Sequence, residues 1–171
     1  GSEAVITGSG RTDSGVHAAG QVASAPIDTR LGPDELRRAL NAHLPRDVVV
    51  LDASEVADDF CARRGALSKL YGYRIWNGRQ RSPLRAGRAA WIGGDLALPP
   101  MRAAAERLLG ERDFACFQAA GSSVVSSVRL LESLEVTGAA GAEIRIEARG
   151  SGFLRHMVRN LAGTLIEVGR G

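Results

Sequence analysis

Residues 128–149 read VRLLESLEVTGAAGAEIRIEAR, and this stretch decides the class of fold. Two strand-like runs, Val128–Thr137 and Glu143–Arg149, flank the turn sequence Gly138-Ala139-Ala140-Gly141. Aliphatic and β-branched runs separated by a short segment containing glycine are typical of a β-hairpin. The stretch therefore predicts two antiparallel neighbours in a sheet.

The segments before and after this hairpin show patterns typical of helices and of strands. Helices are predicted from Pro33 to Leu44, from about Pro100 to Leu109, and from Phe153 to Val168. Further strands are predicted at Ala4–Thr7, residues 17–25, Asp47–Val56 and Leu67–Trp76, with a polar loop at residues 77–90. Strands in runs, broken by helices, predict an α+β fold with a largely antiparallel sheet flanked by helices.

Composition and charge limit the kind of protein. The chain has 171 residues, of which 44% are hydrophobic and 24% charged, as in one soluble domain or two small lobes sharing a core. No apolar run reaches membrane-spanning length, and no signal peptide opens the sequence. Cys61 and Cys116 are too few for a disulfide framework and lack metal-ligand spacing. We expect a cytoplasmic protein that binds no membrane and no metal.

Arginine supplies nearly all of the positive charge, since Lys69 is the sole lysine and the net charge is only +3. Arginine binds phosphate through two parallel hydrogen bonds and stacks on bases, although a genome with GC-rich codons explains the general bias better. Five arginines cluster within fifteen positions beside three aromatic residues: Arg74, Arg79, Arg81, Arg85 and Arg88, with Tyr73, Trp76 and Trp91. The cluster is typical of an RNA-facing loop, and a solvated surface loop remains the alternative.

Residues 10–17 read GRTDSGVH and place Asp13 in a loop with glycines on both sides. Glycine permits a close approach of a ligand, and Arg11 favours the ionised form of Asp13 if the two side chains meet. An ionised, positioned carboxylate can act as a nucleophile or a general base. An ordinary aspartate turn is the alternative. A nucleotide-binding loop at Gly8-Ser9-Gly10 is disfavoured, because the residues that follow alternate like a strand.

The last predicted helix carries Arg155, His156 and Arg159 in its N-terminal half. The helix dipole makes cations there unfavourable by roughly a few tenths of a kcal/mol each. Arg155 and Arg159 lie four positions apart, which predicts one helix face. We expect an anion opposite them, a carboxylate such as Asp13 or a phosphate, with solvated arginines as the alternative.

Taken together and in order, several segments resemble the bacterial tRNA pseudouridine synthase A family. The segments that carry the resemblance run through the whole chain: GRTDSGVHA at 10–18, GQV at 20–22, LPRDV at 44–48, FCAR at 60–63, KLYGY at 69–73, GERDF at 110–114, GFLRHMVRN at 152–160 and GTL at 163–165. The whole set, in the family's order, is specific where each short segment is not.

The resemblance implies a pseudouridine synthase fold, with two ferredoxin-like lobes and an active-site cleft between them. Residues 1–90 would form the N-terminal lobe with the catalytic loop, and residues 91–171 the C-terminal lobe. Asp13 matches the family's nucleophilic aspartate and Tyr71 the tyrosine that packs on the target base. Arg159 matches the arginine that pairs with the catalytic carboxylate, and Arg11, in the motif of Asp13, is expected to bind substrate.

The implied reaction converts uridine to pseudouridine at positions 38 to 40 of the tRNA anticodon stem-loop. The N-glycosidic bond breaks, the uracil turns, and a carbon–carbon bond to the ribose replaces it, so no metal or redox cofactor is expected. The target uridine must leave its stack, which costs roughly a few kcal/mol. The family's members act as homodimers, and the same is expected here.

Two departures from the family accompany the resemblance. The family's first strand and helix, which precede the aspartate motif, and its final segment are expected to lie outside this sequence. Cys61 stands where the family commonly has histidine. The alternative function is therefore an inactive fragment that binds RNA without chemistry.

Overall fold

The computed structural model describes residues 4–121 and 124–171, and contacts within the chain group it into two compact units, Gly1–Ala66 and Leu67–Gly171. The first unit contains β1 (Thr7–Gly8), β2 (Ala23–Ser24) and α1 (Pro33–His43). The second contains β3 (Lys69–Trp76), β4 (Ala90–Trp91), α2 (Leu98–Glu106), β5 (Gly110–Asp113), β6 (Val128–Gly138), β7 (Glu143–Gly150) and α3 (Met157–Arg170).

The predicted hairpin forms the centre of a five-stranded sheet in the second unit. The strand order is β4-β3-β7-β6-β5, and every neighbouring pair is antiparallel except β3 with β4. Gly138 begins the hairpin turn at a φ of 104°, and a Cβ there would collide with the carbonyl oxygen of Glu143. Only glycine tolerates both conditions. The α+β class and the largely antiparallel sheet are confirmed.

The core of this unit lies between one face of the sheet and helices α2 and α3. Alternate residues of β7 are buried on that face, including Ile144 and Ile146, and Ile75 of β3 is fully buried beside them. Leu161 and Leu165 on α3 are buried as well, one turn apart. Apolar residues recur at every second position in the strands and at about every fourth position in the helix, so their side chains meet in one core.

Asn77 is the only buried polar side chain in the described part of the chain, with 4% of its surface exposed. Its Nδ2 donates to the carbonyl oxygens of Ile92 and Gly94 at 2.8 and 2.9 Å. Its Oδ1 accepts from the backbone N–H of Gly141 at 2.8 Å, in the β6–β7 turn. One amide group thus fastens the end of β3 to the chain after β4 and to the hairpin turn.

The opposite face of the sheet is polar and carries an ion cluster around Glu143. Arg74 Nη2 lies 2.7 Å from Glu143 Oε1, and Arg85 Nε lies 3.4 Å from Oε2. The hydrogen bond from Arg74, with a smaller contribution from Arg85, holds the pKa of Glu143 below its ordinary value. This cluster joins β3, β7 and the loop after β3 on the solvent side.

The cluster predicts a small, pH-dependent contribution to stability. Because the folded-state pKa of Glu143 is lowered, its contribution is present above the ordinary glutamate pKa and is lost as the pH falls through the lowered value. Glu143→Gln should reduce the free energy of unfolding at pH 7 by less than about 1 kcal/mol, since Glu143 is 28% exposed. Urea titrations should show the difference from wild type vanishing at acid pH.

The matched control is Glu111→Gln, an exposed glutamate on the edge strand β5. It should change the free energy of unfolding little at any pH. A Glu143→Gln deficit that persisted undiminished in acid would contradict the ion-pair explanation.

The first unit differs most from the sequence-based expectation. Of the strand predicted at residues 17–25, only Ala23–Ser24 forms, paired with β1, and the strand predicted at Asp47–Val56 is wrong. There the side chain of Asn41 donates to the carbonyl of Val50 at 2.9 Å and accepts its N–H at 2.8 Å. An asparagine side chain on α1 occupies the hydrogen-bonding groups that a neighbouring strand would need.

Ends of elements in the second unit also shift. The last helix starts at Met157 rather than Phe153, and α2 covers Leu98–Glu106 rather than residues 100–109. The edge strand β5 was not predicted; its sequence GERD carries little of the apolar alternation that marks a strand. No described helix combines the length and the apolarity needed to cross a bilayer.

The grouping into units differs from the expected lobes of residues 1–90 and 91–171. Strand β3 pairs along its whole length with β7, so residues 69–76 belong to the same sheet as the hairpin. The short strand Ala90–Trp91 spans the expected boundary and pairs with β3. The two ferredoxin-like lobes of the family's fold stay a prediction.

Candidate active site

Asp13 lies on a loop of the first unit whose two ends are held together by β1 and β2. Next to the paired strands, the N–H of Ser9 donates to the carbonyl of Val22 at 2.8 Å. The two ends of the loop formed by residues 9–22 therefore lie side by side. The N–H of Val16 donates to the carbonyl of Asp13 at 3.0 Å, and Gly15 has a φ of 79°. A positive φ at the third position of a four-residue turn requires glycine, as in type II turns.

Gln21 braces the base of this loop. Its Oε1 accepts from the hydroxyl of Ser9 at 2.8 Å, and its Nε2 donates to the carbonyl of Gly10 at 2.6 Å. Sequence reasoning assigned no role to Gln21, although it lies in the GQV segment that helped carry the resemblance. The loop base is thus fastened by side chain as well as by backbone.

Arg11 lies in the same loop, two residues before Asp13, and both residues are exposed. The turn is closed by the backbone of Asp13, whose carbonyl accepts from the N–H of Val16.

Tyr71 lies on β3 in the second unit, directly opposite Ala148 of β7. Its ring meets the ring of Phe153 edge to face, with 5.0 Å between centroids and 76° between planes. Gly150 lies next to the ring of Phe153 and is closely packed against the backbone of Leu130. A Cβ on Gly150 would lie 2.5 Å from the carbonyl oxygen of Leu130 and 3.5 Å from the ring of Phe153. Sequence reasoning missed Phe153 as the partner of Tyr71.

Arg159 is exposed in the first turn of α3, six residues after Phe153. The segment between them therefore links Tyr71 to the start of this helix within one unit. Asn160 anchors the turn, because its Nδ2 donates to the carbonyl of Phe117 at 2.8 Å.

The expectation that Arg155 and Arg159 share a helix face is wrong. His156 has a φ of 58°, a left-handed conformation, so the helix begins only at Met157. Arg155 lies before it and donates to the carbonyl oxygens of Ala120 and Gly121 at 3.3 and 3.5 Å. Arg155 thus has a local role in holding a loop, and Arg159 alone presents its charge at the helix start.

The four predicted site residues fall two in each unit, Asp13 and Arg11 in the first and Tyr71 and Arg159 in the second. Within the described residues, histidine, cysteine and acidic side chains form no group of three able to hold a metal ion. The chemistry that these side chains offer consists of a carboxylate, guanidinium groups and an aromatic face.

This mixed α+β fold has three α-helices and a mostly antiparallel five-stranded sheet within residues 4–121 and 124–171, and it is consistent with a pseudouridine synthase fold. A family model described as tRNA pseudouridine synthase matches residues 2–63 and 104–171. The chain belongs to the tRNA pseudouridine synthase family. The resemblance inferred from the sequence is confirmed.

Among curated proteins, the chain is similar to the tRNA pseudouridine synthase A of Myxococcus xanthus, with 46% identity over 171 residues, all of this chain and 64% of that protein. It is 46% identical to the enzyme of that name from Rhodospirillum rubrum over 167 residues, covering 97% of this chain and 60% of that protein. It is 43% identical to the protein of that name from Neisseria gonorrhoeae over 171 residues, which is all of this chain and 64% of that protein. The chain spans about three fifths of the length of these relatives.

Three of the four candidate residues lie inside the ranges that the family model matches, and one lies between them. Arg11, Asp13 and Arg159 lie inside the two ranges that the family model matches. Tyr71 lies between those ranges, in a stretch that the similarity to the Myxococcus xanthus protein covers.

Proposed function

We propose that this chain carries the catalytic residues of a tRNA pseudouridine synthase that isomerises uridine to pseudouridine at positions 38 to 40 of the anticodon stem-loop. Asp13 acts on the ribose as a nucleophile or as a base. Arg11, Tyr71 and Arg159 bind the substrate. The observation that supports this most directly is the match to the family model, whose two ranges, residues 2–63 and 104–171, include Asp13 and Arg159.

The conformation of the Asp13 loop supports its role. The loop is closed by a ladder, braced by Gln21, and turned at Gly15. A reacting group held on a backbone of defined conformation loses less entropy when it meets its target. The carboxylate of Asp13 is thus presented by a fastened loop.

The reaction is an isomerisation, with no net gain or loss of atoms. The bond between the ribose carbon and N1 of uracil breaks, the uracil stays bound and turns, and its C5 forms the new bond. C5 then gives up its proton to a base and N1 takes up a proton, so the protons balance. Asp13 either forms a transient ester with the ribose or removes a proton from the sugar, and is regenerated. An isomerisation of this kind needs a pocket that retains the detached base.

Tyr71 and the arginines supply the two kinds of contact that such a pocket needs. The ring of Tyr71 is oriented by its edge-to-face contact with Phe153, so its face can pack against uracil. Arg159, at the start of α3, and Arg11 bind anionic groups of the substrate. We further propose that the protein is cytoplasmic, as its composition suggests, and that it works as a homodimer, as the resemblance implies.

The test is to incubate the protein with an unmodified anticodon stem-loop and to map pseudouridine at single-nucleotide resolution. A second arm places residues 1–171 in the corresponding region of the Myxococcus xanthus relative, which supplies the remaining length. Pseudouridine at positions 38 to 40 in either arm supports the proposal. A hybrid that folds and binds tRNA but forms no product contradicts it and favours the RNA-binding alternative.

Tyr71→Leu should lower kcat/KM by roughly tenfold or more, because stacking on a base contributes about 1–3 kcal/mol. Tyr71→Phe keeps the aromatic face and should stay within a few-fold of wild type. The matched control is Tyr73→Leu, two residues along the same strand and on the same face. Equal losses in Tyr71→Leu and Tyr73→Leu, at equal circular dichroism, would show that Tyr71 is only structural.

A further inference from the structure

The loop between β3 and β4, residues 77–89, lies at one edge of the sheet, outside the candidate active site. We name it the arginine loop. It connects two parallel strands, and β4 is the edge strand, so the loop faces solvent. Its sequence contains Arg79, Arg81, Arg85 and Arg88 and no acidic residue.

The arginine loop is held in a defined conformation by the two tryptophans of the chain. The indole N–H of Trp76 donates to the carbonyl of Gln80 at 2.8 Å, and that of Trp91 donates to the carbonyl of Gly78 at 3.0 Å. A Cβ on Gly78 would collide with the ring of Trp76, so the chain passes directly over that ring. Because the first residues of the loop are fastened in this way, that part loses little entropy when it binds a partner.

The arginines of this region divide into two groups. Arg74 and Arg85 are engaged with Glu143, and the guanidinium of Arg85 also lies 4.1 Å from the ring centre of Trp76. Three others are exposed, and their side chains make no ion pair or hydrogen bond with a described residue of the second unit: Arg79, Arg81 and Arg88. Their charge is available to an anionic partner.

An aromatic face accompanies these charges. Trp91 is 46% exposed, and the hydrogen bond from its indole N–H to the carbonyl of Gly78 holds its ring against the peptide that precedes Arg79. Arg81 also lines a shallow depression with Gln80, Ser82, Pro83 and Ala86. Guanidinium groups next to a fixed, half-exposed indole are the combination that binds phosphates and stacks on an unpaired base.

We propose that the arginine loop and Trp91 form a second RNA-contacting surface, in which Arg79, Arg81 and Arg88 bind backbone phosphates and Trp91 stacks on an unpaired base. The choice of tRNA as the RNA rests on the proposed function. An acidic protein would satisfy the charges but would not need the planar indole face, so RNA fits both features.

The test measures the affinity of the protein for a labelled, unmodified tRNA transcript at several salt concentrations. Arg79→Gln combined with Arg81→Gln should weaken binding roughly tenfold at low salt and reduce the slope of log K against log salt by about 2, one per lost phosphate contact. Trp91→Leu should weaken binding about tenfold, and Trp91→Phe should restore most of it. The control combines Arg107→Gln with Arg112→Gln, exposed arginines near the opposite edge strand.

Each outcome is decisive for this surface. Unchanged affinity and salt slope in the Arg79/Arg81 variant, an equal loss in the Arg107/Arg112 control, or no tRNA binding by the wild type would overturn the proposal. A change in sedimentation with unchanged tRNA affinity would assign the loop to a protein interface instead. If the wild type binds tRNA through this loop but forms no pseudouridine, the surface stands and the proposed function fails.

Discussion

Replacing Asp13 with asparagine is expected to reduce pseudouridine formation by at least about 100-fold while tRNA affinity stays within a few-fold of wild type. The amide has nearly the same shape as the carboxylate but is neither a useful nucleophile nor a base. The turn should persist, because the carbonyl of residue 13 and the N–H of Val16 make it and Gly15 keeps its positive φ. Single-turnover assays with excess protein would separate chemistry from binding.

The matched control is Asp28→Asn, an exposed aspartate in the same unit. It removes one negative charge, as Asp13→Asn does, but outside the Asp13 loop, and it should leave product formation unchanged. If Asp13→Asn formed product at the wild-type rate, Asp13 would not be the reacting carboxylate. These assays are run on the hybrid with the Myxococcus xanthus relative if that is the active arm.

Asn77→Ala is expected to lower the free energy of unfolding of the second unit by about 3 kcal/mol. Three hydrogen bonds of the side chain are lost, and the carbonyls of Ile92 and Gly94 and the N–H of Gly141 lose their partner inside the protein. A loss of this size corresponds to a fall in Tm of about 10 °C for a chain of this length. Tryptophan fluorescence reports it, since both tryptophans lie in this unit.

The control for Asn77 is Asn160→Ala, which removes one hydrogen bond, to the carbonyl of Phe117, at an exposed position. Its expected cost is about 1 kcal/mol or less. An Asn77→Ala protein as stable as the control would show that water replaces the lost bonds and that Asn77 is not the link between the three segments.

A sequence-based prediction was right where the information that it needed lies in neighbouring residues, and wrong where it depended on a partner elsewhere in the chain. The hairpin at residues 128–149 was predicted because alternation and a glycine turn are local signals. The strand predicted at Asp47–Val56 was wrong although its composition favours a strand, because a strand also needs a neighbour, and the side chain of Asn41 satisfies the backbone of Val50 instead. The late start of α3 depends on the left-handed backbone of His156, which residue type alone does not predict.

The same distinction applies to the candidate site. The Asp13 loop and Tyr71 were named from motifs, and the family to which they point is confirmed. Phe153 was missed because its contact with Tyr71 joins two strand ends that are far apart in the chain. Gln21 was missed because an amide in a polar loop has no distinctive pattern, and only its hydrogen bonds to Ser9 and Gly10 show that it braces the loop.

The sequence by itself determined the hairpin, the glycine-dependent turn at Asp13 and the family, because each is written in neighbouring residues or in the order of short motifs. Only the tertiary structure decided that Asn77 fastens the sheet, that Phe153 orients Tyr71, and that the arginines near β4 divide into those engaged with Glu143 and those exposed on the loop. The bond from Gly141 to Asn77 spans 64 positions. Contacts over such separations leave no periodicity in the sequence and arise only when the sheet brings the segments together.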